Sequence, residues 1–261
     1  MPEPALPREP KLRARTAGWL PLSGIVLVAF PACLVYAFFT GWLPHALAVL
    51  GAMATMLILG RAAHELGLAS WADRQLGPSM QFADIGARGT IAIVMLITLR
   101  VEALSTLDPG WIATTLLCAI GVSRAFAVLV AASLPARASQ AHQRSQVQYE
   151  VADPFSREPR IGPFATVWAL CCGAVPVIVA IQWTGLLLPF GLAVSGALLV
   201  AAWMRRRLKR HALSPVGRAT CGAIQLERAL GSTQTLSELA FYLGLIGALS
   251  LPLDLLGEQT W

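Results

Sequence analysis

The chain reads as an all-α, polytopic integral membrane bundle of about seven transmembrane helices, its N-terminus in the cytoplasm. Three observations predict this class. The 261 residues are 56% hydrophobic and only 13% charged, whereas an ordinary soluble domain carries about 25% charged residues. Apolar runs of near-membrane length recur from one end of the chain to the other. Lys and Arg are confined almost entirely to alternate connections between those runs.

The first run, 19–40, follows a basic lead of Arg8, Lys11, Arg13 and Arg15. A cleaved signal peptide would have an apolar core of about 7–15 residues and a small-residue cleavage site. This run has 22 residues and ends in Phe38-Phe39-Thr40-Gly41, so a retained span is expected. Further runs follow at 42–60, 89–107, 111–135, 164–182, 185–204 and 235–253. Each approaches the roughly 20 residues that cross about 30 Å of hydrocarbon at 1.5 Å per residue. The connections near Gly41, Asp108-Pro109-Gly110 and Thr184 are too short to hold folded domains. Their flanking helices are expected to pack as antiparallel hairpins. Pro31, Pro176 and Pro189 are expected to kink theirs. The organisation is a basic tail over 1–18, one transmembrane domain over 19–253 with polar segments 61–88, 136–163 and 205–234, and a short tail over 254–261.

Four Lys or Arg precede the first span, three lie in 61–88, four in 136–163 and seven in 205–234, which makes eighteen of the twenty. The opposite loops and the C-terminal tail hold none. The positive-inside rule then puts all four segments in the cytoplasm, at the cell inner membrane. The net charge of +6 is therefore that of spans anchored at a lipid surface, and the bilayer is the expected surrounding. No basic, aromatic-interleaved domain exists, so a nucleic-acid role is not expected. An oligomer is left open. The five cysteines form no CxxC pair and no metal-ligand spacing, and read as small apolar residues.

The two remaining basic residues, Arg100 and Arg124, fall inside spans. A charge at depth costs about 2.5–3.5 kcal/mol on insertion scales and normally faces a partner or a polar cavity. Arg100, two residues from Glu102, is expected to reach the outer interface. Arg124 reads equally as half of a structural ion pair and as a contact for an anionic ligand.

Three polar patches carry the ionisable chemistry. The first is His64 to Asp73, HELGLASWAD. If 61–73 continues the second span as a helix, positions 66, 70 and 73 share one face. Three acids there would suit Mg²⁺, which takes a few carboxylates and completes its shell with water and phosphate. The residues present are Leu66, Ser70 and Asp73, with His64 and Glu65 beside them. The second patch runs from Gln225 to Glu238 into the last span, and the third holds Asp84 and Arg88 in FADIGARGT. Taken singly, each also reads as capping or as solvated residues at a helix end.

Together these patches resemble the cobalamin-5′-phosphate synthase family, the adenosylcobinamide-GDP ribazoletransferases. That family shows H-E-D-G-L-A-D-x-x-D after an early span, matched here at His64, Glu65, Gly67, Leu68, Ala69 and Asp73. Val122-Ser123-Arg124-Ala125 and Leu134-Pro135-Ala136-Arg137 are similar to its S-R helix and its exit. Its closing motif is echoed at Gln225, Leu230, Gly231, Thr233, Gln234, Leu236, Ser237 and Glu238. The departures are Leu66 and Ser70 in place of acids, Arg228 in place of the last motif's acid, and Ala223 and Ile224 in place of its glycines.

The resemblance implies a transferase that joins α-ribazole or its phosphate to adenosylcobinamide-GDP and releases GMP. It implies corrinoid nucleotide and ribazole substrates, and Mg²⁺ as cofactor at a site from which acids are missing. Glu65, Asp73 and Glu238 would be catalytic. His64, Asp84, Arg88, Arg124, Arg137, Gln225 and Arg228 would contact substrate, and Asp73, Glu65 and, more weakly, Glu227 would hold the metal. The competing readings are a non-catalytic relative that binds a corrinoid or a partner membrane protein, and an unrelated small transporter.

Overall fold

The computed structural model describes residues 17–60, 62–74, 86–133, 161–213 and 223–250, with the backbone alone at 63, 70, 71, 74, 211–213 and 223–230. Those residues form eight helices and no strand: α1 (Ala17–Thr40), α2 (His45–Leu59), α3 (Ala63–Arg74), α4 (Ala87–Ser105), α5 (Pro109–Ala132), α6 (Pro163–Thr184), α7 (Leu187–Leu213) and α8 (Ala223–Leu249). Four are long and apolar enough to cross a membrane: α1, α5, α6 and, over Leu187–Arg210, α7.

Local chemistry sets the ends. Asp108 accepts from the Gly110 amide at 2.9 Å and Pro109 follows it, so α5 starts on a side-chain cap with proline where no donor is needed. Gly162 and Pro163 open α6, and Gly185, at φ 71°, closes it in the left-handed region as glycine does after a helix. Pro31 cannot donate to the carbonyl one turn back. The chain widens into a π turn over Ile25–Ala29 just ahead of it, a local adjustment that accommodates the missing bond.

Outward faces are apolar and inward faces small. Leu27, Phe38, Trp183 and Leu199 are exposed, while Ala29, Ala32, Ala193 and Ala197 are buried. At Gly121 and Gly173 two backbones come so close that a side chain on either would meet the other helix. Small residues at helix contacts with large ones outside suit a lipid solvent, where close packing drives association. Central in the bundle is α5, buried without interruption from Cys118 to Val128.

Contacts give each helix a direction. Gly24 meets Arg124, Cys33 donates to the Ala113 carbonyl, and Tyr36 reaches the Pro109 carbonyl, so α1 and α5 are antiparallel. Asp73 bonds Gly86 and Gly89 while Glu65 bonds Arg100, so α3 and α4 are antiparallel. Gly18 against Ala165 and Trp19 against Trp168 align α1 with α6. Gly244 against Ala193 and Gly196 against Ala240 oppose α7 and α8. Short hairpins join α1 to α2, α4 to α5 and α6 to α7.

It follows that α2 and α3 run the same way. At about 1.5 Å per residue, α2 is only about 22 Å long, and α3 continues in the same direction after an interruption. Residues 61–73 therefore do not extend the second span as one helix. The chain breaks at Gly60 and Ala62, the latter the one non-glycine residue with positive φ (47°) among those described.

Candidate functional site

The break between α2 and α3 lies just ahead of Glu65, which joins the charged centre of the bundle. Arg100, about 20 Å along α4 from Ala87, is 1% exposed. Its Nη1 donates to Glu65 Oε1 and its Nη2 to Glu238 Oε2, each at 2.8 Å. The Tyr242 hydroxyl, one turn beyond Glu238 on α8, donates to Glu238 Oε1 at 2.8 Å. One guanidinium thus ties together α3, α4 and α8. Such a fork is what arginine supplies and lysine does not. Arg100 was expected at the outer interface with Glu102. It turns inward instead, because two buried carboxylates offer more than water at a helix edge.

Arg124 is the second buried cation, 7% exposed, and its surroundings differ. Its guanidinium lies over Gly24, where a side chain would overlap it. The flanking helix is the π-turn segment of α1. Nη1 reaches the Leu20 carbonyl at 3.5 Å and Nε has no hydrogen-bond partner. Among the described residues no carboxylate forms an ion pair with Arg124, and the ion-pair reading lapses for these. His64, half-buried at the start of α3, feels the charges of Arg124, Glu65 and Arg100. Nearby, Ser237 is fully buried and its Oγ is unpartnered.

Asp73 stands at the other end of α3, about 12 Å along the axis from Glu65. Its Oδ2 accepts from the Gly86 amide at 2.8 Å and its Oδ1 from the Gly89 amide at 2.7 Å. Both oxygens cap the start of α4, where free amides and the helix dipole favour a carboxylate. Gly89 permits this approach, since a side chain there would run into Asp73 and the Ala69 carbonyl. Arg88 is exposed at this end.

Of the residues singled out by sequence, the structure gathers His64, Glu65, Arg124 and Glu238 and sets Asp73 and Arg88 apart. Arg100 and Tyr242 complete the group, and neither was predicted as a site residue. A lone arginine inside an apolar run, and a tyrosine four residues past a buried acid, were the available signals. Asp84 and Arg137 lie outside the described residues, as do the side chains of Ser70, Gln225, Glu227 and Arg228.

The acids described do not fit Mg²⁺. That ion needs near-octahedral oxygen ligands at about 2.0–2.1 Å. Both oxygens of Glu238 and of Asp73, and one of Glu65, already accept bonds from donors. Leu66, where an acid would be needed, points outward at 44% exposure. Among the described residues no three His, Cys, Asp or Glu side chains converge as a metal site.

Comparison with known proteins agrees with the motif resemblance. The family model for cobalamin-5-phosphate synthase matches residues 2–212. An adenosylcobinamide-GDP ribazoletransferase of Polaromonas sp. (strain JS666 / ATCC BAA-500) is 29% identical over 267 aligned positions, covering 90% of this chain and 86% of the relative. One of Shewanella woodyi (strain ATCC 51908 / MS32) is 30% identical over 234 positions, covering 85% of this chain and 81% of the relative. No solved structure matches. The chain belongs to the cobalamin-5-phosphate synthase family.

Proposed function

We propose that this protein is an adenosylcobinamide-GDP ribazoletransferase whose reacting phosphates sit at the break between α2 and α3. The ribazole 5′-oxygen forms a bond to the cobinamide-bearing phosphorus, the bond to the bridging oxygen breaks, and GMP leaves with that oxygen. The observation that carries this reading is Arg124, a buried guanidinium whose Nε has no hydrogen-bond partner and which forms no ion pair with a carboxylate among the described residues. A phosphate is the ligand that such a fork suits. The start of α3, where helix amides lack intrahelical partners, also favours an anion.

His64 accepts the hydroxyl proton. It has no hydrogen-bond partner among the described residues, whereas Glu65 and Glu238 are committed to Arg100. Mg²⁺ has no described ligand set, and no step is assigned to it.

The helix directions support seven traverses, with α2 and α3 together making the second. The starts of α1, α4, α6 and α8 and the ends of α3, α5 and α7 then share one end of the bundle. All the Lys- and Arg-rich segments connect at that end, which faces the cytoplasm by the positive-inside rule.

The test is product formation by detergent-purified protein given adenosylcobinamide-GDP and α-ribazole, followed as GMP release. The native chain is expected to turn over, and Arg124→Gln to lose at least a hundredfold in kcat/KM. Absence of GMP release by folded native protein, or full activity in Arg124→Gln, would refute the assignment.

A further inference from the structure

Glu65 and Glu238 are separated from Arg100 by 35 and 138 residues of sequence, yet both bond it at 2.8 Å from different helices. All three are buried, at 7%, 4% and 1% exposure. Two carboxylates brought this close in a dry interior cannot both stay ionised without a cation between them. A divalent metal or a side chain could meet that need. Here the side chain already does so, and with directional bonds: Arg100 spends Nη1 on one acid and Nη2 on the other, and Tyr242 occupies the remaining oxygen of Glu238. A metal could be shared by both acids only by expelling the guanidinium, which would strand a buried positive charge.

We propose that Arg100 is the resident cation of the polar centre, holding Glu65 and Glu238 as its counter-charges in place of a dissociable divalent metal. It is a positioning residue: through Glu65 it pins the first turn of α3, and so the neighbouring His64, against α4 and α8. The inference does not depend on the transferase reading, because ion binding is measured with no corrinoid present.

The experiment is a Mn²⁺ titration, followed by electron paramagnetic resonance, of full-length protein in detergent. Glu65→Gln and Glu238→Gln in the otherwise native chain should leave Mn²⁺ binding within twofold of native. Arg100→Gln removes the guanidinium and frees two buried carboxylates, so it should gain one Mn²⁺ site at least tenfold tighter than any in the native chain. That site should vanish in Arg100→Gln/Glu65→Gln/Glu238→Gln, and Arg100→Lys, which keeps the charge, should not acquire it. A tenfold weakening of native Mn²⁺ binding by either glutamine substitution would overturn the proposal, as would a folded Arg100→Gln protein that gains no site. Should Arg100→Gln lose its helical circular dichroism, the two glutamine variants decide the matter alone.

Discussion

Gly24 on α1 and Arg124 on α5 share one volume: the guanidinium fills the space where a side chain at position 24 would begin. The absence of a Cβ at 24 is therefore a condition for the buried arginine 100 residues later. Gly24→Ala is expected to push the guanidinium aside and reduce ribazoletransferase activity at least tenfold. Alanine is the better helix former by about 1 kcal/mol, so helicity by circular dichroism should hold while activity falls. Unchanged activity would show that Arg124 does not need its present seat.

Arg100 should also be a stability residue. Removing one member of a buried, hydrogen-bonded charge group costs about 3–5 kcal/mol, because the other members are left uncompensated. Arg100→Gln is expected to lower the unfolding midpoint well below that of native protein. Tyr242→Phe, which deletes a single bond to a charged group, should lose about 1.5–3 kcal/mol. Thermal unfolding followed by circular dichroism ranks the two, and the order should not invert.

For Asp73 the capping geometry makes a prediction that differs from that for a metal ligand. Asp73→Ala removes the acceptor for two amides and should destabilise by about 1–2 kcal/mol. Asp73→Asn, which keeps an acceptor oxygen, should recover part of that loss. Neither variant should be rescued by raising Mg²⁺ in the activity assay. Gly89→Ala should be worse than Asp73→Asn, since it forces α3 away from α4.

Membrane orientation is open to direct labelling. With the five native cysteines replaced, Thr184→Cys at the end of α6 should react with an impermeant thiol reagent added to intact cells. Arg88→Cys, exposed near the start of α4, should react only after the membrane is opened. The reverse pattern would invert the bundle.

Spans are legible in sequence because hydrocarbon thickness sets a minimum apolar length, and the seven runs coincide closely with α1, α2, α4, α5, α6, α7 and the later part of α8. The His64–Asp73 motif was legible as one patch, but its division was not. Helix spacing puts residues 66, 70 and 73 on one face, and nothing in that spacing reveals that Leu66 turns outward or that Asp73 caps a different helix. The partners of Arg100 were hidden for a related reason. They come from helices far away in sequence, whereas Glu102 was the acid in view.

The order of residues alone determined that the chain is helical, that it lies in a bilayer and which family it resembles, because composition, apolar run length and motif order are one-dimensional properties. Tertiary structure decided which charges meet. Packing brings Glu65, Arg100 and Glu238 from three helices to one dry point, where low polarizability makes pairing obligatory. The same packing leaves Arg124 beside Gly24 with its Nε unpartnered.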